Sequence, residues 1–134
     1  MPADIAALLA AWAIATLRSA TPLIFATLGE TLVQRVGIIN LGTEGEMLLG
    51  ACVGFAVGVA TGNPWAGLAA GALAGAVLSL LHAGLVLGAG ANQIGSGLAV
   101  WMMALGATSL YGRSLVGNQV TPLSTLGSPL TDPV

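Results

Sequence analysis

One stretch of the chain carries no charged side chain. From Met47 to Gly112, 66 consecutive residues include no Asp, Glu, Lys or Arg. As one α-helix this stretch would be about 99 Å long, whereas the hydrocarbon core of a bilayer is about 30 Å thick, so its length corresponds to roughly three crossings. Only 6% of all residues are charged, against about 25% in soluble domains, which excludes a soluble domain.

Turn-forming residues divide the charge-free stretch into three parts. Gly62-Asn63-Pro64 interrupts it first, and the small and amide residues from Gly88 to Gln93 interrupt it again. The pattern predicts helices at about 5–35, 47–61, 65–88 and 93–111, followed by a loop or tail at 112–134. The predicted fold class is all-α: a polytopic transmembrane helical bundle in a single transmembrane domain.

The segment from Gly37 to Glu46 is the most informative part of the chain. A helix over 47–61 would be about 22 Å long, too short to cross the bilayer unaided. We therefore expect a discontinuous helix around residues 37–46 that lies within the membrane, because glycine permits backbone angles outside the helical region. Its break residues are Gly37, Gly42 and Gly45. The alternative is an ordinary aqueous loop with solvated glutamates.

Polar side chains near these breaks are candidates for binding a solute. Asn40, Thr43, Glu44 and Glu46 stand directly before the charge-free stretch, where polar groups need a partner, a cavity or water. Gln93 and Ser96 open the last helix behind Asn92, which predicts either helix capping or contact with a polar solute. Arg18 is expected to anchor the first helix at an interface, with a role in a solute path as the alternative.

Glycines recur every four residues in the two middle helices, at Gly50, Gly54, Gly58 and Gly62 and then at Gly67, Gly71 and Gly75. Such a row drifts by only about 40° per step, so it forms one continuous face of a helix. Close backbone approach through small residues drives helix association in lipid. We predict that these glycines pack helix on helix and do not contact a solute directly.

The sequence contains no visible catalytic apparatus. No nucleophile is paired with a base, no phosphate-binding loop ends in Lys-Ser or Lys-Thr, and no His-Glu metal motif is present. His82 has no partner at metal-ligand spacing, so an interhelical hydrogen bond is expected, with proton relay or metal binding as the alternative. The single Cys52 allows no intrachain disulfide, and a net charge of −2 disfavours nucleic acid. We expect no catalytic residue, metal or cofactor on this chain.

Two stretches resemble a known family. RSATPLIFATLGETLVQRVGIINLGTEGEMLLGA, from Arg18, and ANQIGSGLAV, from Ala91, are similar to membrane permease subunits of bacterial ABC importers. The branch includes ribose, simple-sugar, nucleoside and branched-chain amino-acid permeases, and the similarity is greatest to the nucleoside and simple-sugar group. The chain resembles the N-terminal half of such a permease. Trp101 and Glu46 depart from the family pattern, which often has Asn and an apolar residue there.

The resemblance implies a multi-pass protein of the cell inner membrane that gives a nucleoside or simple sugar a translocation path. Its implied partners are a second permease subunit, cytoplasmic ABC ATPase subunits that hydrolyse ATP, an extracytoplasmic solute-binding protein and the lipid bilayer. It places Asn40 and Glu44 near the path, with Gln93 and Ser96 as companions. The alternatives are a branched-chain amino-acid permease and a non-transporting membrane fragment or helix-packing module.

Overall fold

A computed structural model describes residues 2–120 of the chain. Its four α-helices are α1 (Pro2–Arg35), α2 (Thr43–Thr61), α3 (Pro64–Ala83) and α4 (Gln93–Tyr111). A π-helical turn (Gly84–Gly88) extends α3, and a short 3-10 turn (Gly112–Leu115) follows α4. All four helices are long and apolar enough to cross a membrane, and residues 2–120 contain no strand. The all-α transmembrane fold class is therefore confirmed; residues 121–134 of the predicted tail lie outside the described residues.

The second helix begins earlier than the sequence pattern predicts. It starts at Thr43, so it has 19 residues, and its first turn contains Glu44 and Glu46. Acidic side chains are favourable at a helix N-terminus, where the helix dipole is positive, so these polar residues extend the helix. The expectation that this helix is too short to cross was wrong, and the break between α1 and α2 is confined to residues 36–42, called the connecting segment below.

The three predicted break glycines have different roles. Gly37 has φ +81°, which suits glycine, and Gly42 is the residue that precedes the first turn of α2. Gly45 lies inside α2, and its assignment as a break residue was wrong. A Cβ at Gly45 would lie 2.8 Å from the Cα of Trp101, so the absent side chain lets α2 and α4 approach closely.

Helices α2 and α3 contact each other through their glycines. A Cβ added at Gly67 would lie 2.6 Å from the carbonyl oxygen of Gly54, and one at Gly71 would lie 2.7 Å from that of Gly50. These four residues, called the glycine contact below, leave no room for a side chain between the two backbones. Their close approach provides the dispersion contacts that hold helices together in lipid.

The outer members of the glycine rows behave differently. Gly58 also lies against α3, since a Cβ added at Gly67 would be 3.2 Å from the Gly58 Cα, and a Cβ at Gly58 itself would meet the Val120 side chain at 3.2 Å. A Cβ at Gly75 would reach only the Glu46 carbonyl oxygen, at 3.8 Å. Gly62 ends α2 with φ +64° and has open space where its Cβ would be. Its assignment as a packing residue was wrong, because the turn to Pro64 requires a left-handed residue at this position.

The buried apolar core is small and lies where α3 and α4 meet α2. It consists of Leu78, Val100 and Ala104, with Leu49 packed against it. By contrast, α1 is attached along a narrow face: Ala26, Glu30 and Val33 are half-buried at the spacing of one helix face, whereas Trp12 and Phe25 are about 70% exposed. Most apolar side chains therefore point outward, as expected of helices in a bilayer.

Candidate functional site

The connecting segment turns away from α1 immediately after Arg35. The N–H groups of Val36 and Gly37 donate to carbonyl oxygens of the last turn of α1, at 3.2 and 3.0 Å. From Ile38 to Asn40 the chain has no regular secondary structure. The Ile38 N–H still donates to the Val33 carbonyl oxygen of α1, at 3.3 Å. The other backbone groups need partners from elsewhere, because a polar group without a hydrogen bond is costly in an apolar environment.

Gln93 supplies partners for two of these backbone groups. At the start of α4, its Oε1 accepts a hydrogen bond from the Ile39 N–H at 2.9 Å, and its Nε2 donates to the Gly37 carbonyl at 3.4 Å. One carboxamide thus satisfies a donor and an acceptor of the connecting segment, as a neighbouring strand would. The structure thus brings Gln93 to the connecting segment, where its carboxamide binds backbone groups; both of its polar atoms have partners within the chain.

Asn40 is the centre of the polar cluster and is 8% exposed. Its Nδ2 donates to Glu46 Oε1 at 2.7 Å, and its Oδ1 accepts from the Gly42 N–H at 2.9 Å. Its own N–H donates to Glu30 Oε1 at 3.2 Å. Asn40 therefore joins α1, the connecting segment and the first turn of α2.

Two carboxylates flank Asn40: Glu46, which the sequence placed among the polar candidates, and Glu30, which it did not single out. Glu30 Oε1 accepts from Gln34 Nε2 at 3.1 Å as well as from Asn40. The Thr43 hydroxyl donates to the Asn40 carbonyl at 2.9 Å and lies 3.3 Å from Glu30 Oε2. The signal for Glu30 was its place as an ionisable residue inside an otherwise apolar helix, which by itself points to function.

Within the described residues, neither Glu44 nor Ser96 forms a hydrogen bond with this cluster. Glu44 is exposed and lines a pocket of about 310 Å³ between α1 and α2, whose wall also includes Glu30 and Thr43. Ser96 is buried; its hydroxyl donates to the Gln93 carbonyl at 3.2 Å and lies 3.3 Å from His82 Nδ1. The interhelical hydrogen bond expected of His82 is thus formed with Ser96, between α3 and α4. Asn92 caps α4 through the Gly95 N–H at 2.9 Å.

A cavity of about 740 Å³, called the polar cavity below, lies between α1, the connecting segment, α2 and α3. This volume is within the range of about 300–1,000 Å³ typical of small-molecule sites. Its hydrogen-bonding side chains are those of Glu30, Asn40, Thr43, Glu46 and Ser79. Apolar residues such as Phe25 and Met47 and small residues of α3 form the rest of its wall. This mixture can hold a solute that has both hydroxyl groups and an apolar face.

A second cavity, of about 570 Å³, lies along the glycine contact. Its described lining is glycine, alanine and larger apolar residues, so it offers a polar solute few partners. Among residues 2–120, no three His, Cys, Asp or Glu side chains are grouped so that they could hold a metal ion. The polar cavity is therefore the better candidate for a solute site.

Comparison with known proteins shows the family. A family model described as "Branched-chain amino acid transport system / permease component" matches residues 12–131. A protein of Haloferax volcanii named as a candidate glucose ABC transporter permease, TsgC13, is 38% identical over 116 residues, which cover 87% of this chain and 35% of that protein. No solved structure gives a significant match.

Two further relatives are named for nucleosides. The guanosine ABC transporter permease protein NupQ of Bacillus subtilis is 37% identical over 124 residues, 88% of this chain and 39% of that protein. The nucleoside ABC transporter permease protein NupC of Lactococcus lactis is 37% identical over 90 residues, 63% of this chain and 28% of that protein. The chain thus spans about a third of the length of these relatives, less than the half expected.

Proposed function

The chain belongs to the family of branched-chain amino acid transport system permease components, and we propose that it forms part of the membrane-spanning path of an ATP-driven importer. The family is one of transporter components, not of catalytic enzymes. With four helices able to cross a bilayer, the chain is a multi-pass protein of the cell inner membrane. The proposed solute is a nucleoside or a simple sugar, as the names of the relatives suggest.

The polar cavity is the observation that carries this proposal. Hydrogen-bonding groups inside a membrane are costly and are kept where they serve a solute or ion. Here Glu30, Asn40 and Glu46 line one cavity of suitable size, beside the connecting segment that joins two helices, each long and apolar enough to cross a membrane. We place the solute path beside Asn40, with Glu46 and Glu30 on either side.

The proposed mechanism is alternating access. The glycine contact joins α2 and α3 into one unit because their backbones touch at two places along the helices. The α1 helix is attached by hydrogen bonds at its C-terminal end and exposes most of its surface. We propose that the α2–α3 pair moves against α1 and so opens the polar cavity to one side of the membrane at a time.

The energy and the solute come from partners. ATP would be bound by cytoplasmic ABC ATPase subunits, and the solute would be delivered by an extracytoplasmic binding protein to a pair of permease subunits. This assembly follows from the names of the relatives as ABC transporter permeases. The alternative of a non-transporting helix-packing module is not favoured, because the relatives are named as transport proteins.

Uptake of labelled guanosine and glucose tests the proposal, in cells that carry the chain with its neighbouring transport genes. Deletion of the gene should abolish uptake of one of the two solutes. Glu46→Gln should lower that uptake at least tenfold, since it removes an acceptor in the polar cavity. Glu44→Gln is the matched control: it lies two residues away on the same helix but is exposed and outside this cavity.

Glu44→Gln should retain at least half of the uptake. Immunoblots of membrane fractions must show equal amounts of both variants. If Glu46→Gln transports as well as Glu44→Gln, the polar cavity is not the path.

A further inference from the structure

His82 is the only histidine of the chain, and the proposed path makes no use of it. It lies on α3, is 2% exposed and does not line the polar cavity. We propose that His82 is a positioning residue: with its proton on Nδ1, it donates to Ser96 and thereby holds the first turn of α4, where Gln93 supports the connecting segment. This inference rests on the proposed function and adds a residue that shapes the path without touching the solute.

The Ser96 hydroxyl indicates which nitrogen of His82 carries the proton. Its oxygen lies 3.2 Å from the Gln93 carbonyl oxygen and 3.3 Å from His82 Nδ1. A carbonyl oxygen only accepts, so the one hydroxyl proton forms that bond, and the hydroxyl oxygen is left to accept from the Nδ1–H. The hydrogen bonds then run from His82 Nδ1 to Ser96 Oγ and from Ser96 Oγ to the Gln93 carbonyl.

The second ring nitrogen supports this assignment. His82 Nε2 is buried and has no hydrogen-bond partner in the part of the chain that the structure describes. With the proton on Nε2, a buried N–H would lack an acceptor, and the Ser96 hydroxyl could donate to Nδ1 or to the carbonyl, but not to both. A doubly protonated ring would bury a charged donor without an acceptor, which costs more. The Nδ1–H form makes both hydrogen bonds and leaves only a lone pair without a partner.

The first turn of α4 is packed closely against the connecting segment. A Cβ added at Gly97 would lie 2.9 Å from the Leu41 backbone nitrogen. The Gln93 carboxamide accepts from the Ile39 N–H at 2.9 Å. Ser96 lies between Gln93 and Gly97 in the sequence, so a hydrogen bond from α3 to Ser96 restrains the turn that makes both contacts.

His82 also ties this turn to a wall of the polar cavity. Ser79 lies three residues earlier on α3, on the same side of that helix, and lines the cavity. Asn40, in the connecting segment, lines it as well. The bond between His82 and Ser96 therefore holds the connecting segment in place relative to α3, through α4. Loss of this bond should loosen the connecting segment while every side chain that lines the cavity is kept.

The position of the proton can be measured directly because the chain has one histidine. The protein is labelled with ¹⁵N in the histidine ring, purified through an affinity tag without histidine and placed in lipid nanodiscs. The ¹⁵N spectrum distinguishes a protonated ring nitrogen from a bare one, and we expect Nδ1 to be protonated and Nε2 to be bare. In Ser96→Ala the Nδ1–H loses its acceptor, so the share of this form should fall at least twofold.

Two substitutions at position 82 separate the hydrogen bond from packing. Asparagine can place an amide N–H near the position of Nδ1, whereas leucine fills the space and cannot donate. In His82→Leu, we expect amide exchange at Ile39 to be at least tenfold faster and the maximal uptake of guanosine or glucose to fall at least fivefold, at equal amounts in the membrane. His82→Asn should stay within twofold of the parent protein in both measurements. Ser96→Ala should match His82→Leu, and the double variant should differ from either by less than twofold.

A proton on Nε2, or on both ring nitrogens, overturns the inference. So does exchange at Ile39 that His82→Leu leaves unchanged, faster exchange without a loss of uptake, or a His82→Asn variant as impaired as His82→Leu. The ring spectrum of the parent protein decides the assignment even if His82→Leu fails to reach the membrane. Failure of the proposed function is separate, because the spectrum and the exchange rates require no transport, whereas that function is measured by uptake in the Glu46→Gln and Glu44→Gln variants.

Discussion

The junction between α2 and α3 and the junction between α1 and α2 are built by different physical means. The first is a contact between backbones, with Gly67 and Gly71 set against carbonyl oxygens of α2. The second depends on a few hydrogen bonds around Asn40. Dispersion contacts between backbones require close approach over a surface, whereas hydrogen bonds require a few matching donors and acceptors at short distance. The α2–α3 pair is called the rigid pair below, and the α1–α2 junction at Asn40, where the proposed movement would take place, the adjustable joint.

The largest effect is expected at the adjustable joint. Asn40→Asp replaces the donor to Glu46 Oε1 by an acceptor, so two carboxylates face each other across a distance that is now 2.7 Å. We expect a loss of about 3 kcal/mol or more in the free energy of unfolding, because a buried charge is left without its donor. Denaturant unfolding of the purified protein in detergent micelles measures this free energy for the variant and the parent protein.

The matched control exchanges the donor and the acceptor. In Asn40→Asp combined with Glu46→Gln, the carboxamide at position 46 can donate to the carboxylate at position 40. We expect the double variant to recover to within about 1 kcal/mol of the parent protein. If the two substitutions instead destabilise additively, the Asn40–Glu46 hydrogen bond does not hold this joint.

An intermediate effect is expected at the rigid pair. Gly67→Ala places a methyl group 2.6 Å from the Gly54 carbonyl oxygen, so α2 and α3 must separate. We expect a loss of about 2 kcal/mol, within the range for overpacking. Gly106→Ala is the control, because Gly106 is also helical and nothing lies within 4 Å of its added Cβ.

Gly106→Ala should be neutral or stabilising by up to about 1 kcal/mol, since alanine is the better helix former. Both variants are compared by unfolding in the same micelles. If Gly67→Ala and Gly106→Ala have the same free energy of unfolding, the α2 and α3 backbones do not approach closely enough at Gly67 to exclude a methyl group.

The smallest effect is expected where α4 supports the adjustable joint. Gln93→Ala removes the acceptor for the Ile39 N–H and the donor to the Gly37 carbonyl, at a cost of about 1 kcal/mol. Gln93→Glu keeps an oxygen for Ile39 and loses only the donor. Amide hydrogen exchange at Ile39 should therefore be faster in Gln93→Ala and remain slow in Gln93→Glu; equally fast exchange in both would contradict the contact.

Much of the fold could be predicted because it depends on local composition. The turn at Gly62-Asn63-Pro64 lies where predicted, with Asn63 Oδ1 accepting from the Trp65 N–H at 3.0 Å. The start of α2 was missed because Glu44 and Glu46 suggested a loop, although acidic residues are favourable in a first helical turn. Of the candidate site, Asn40 lies at the polar cavity together with Glu46. Glu44 does not, since residues two apart on a helix, here Glu44 and Glu46, point in different directions.

The amino-acid order alone determined that the chain is a membrane protein, where its turns lie and which glycines form helix faces, because each of these depends on residues within a few positions of one another. Only the tertiary structure decided that Glu30 and Glu46 meet at Asn40 and that Gln93 reaches Ile39, 54 positions away. The repeat of apolar and small residues along a helix does not indicate which distant residues form hydrogen bonds with one another. They are set by how far α1 and α4 pack along α2, which depends on all the contacts between the helices together.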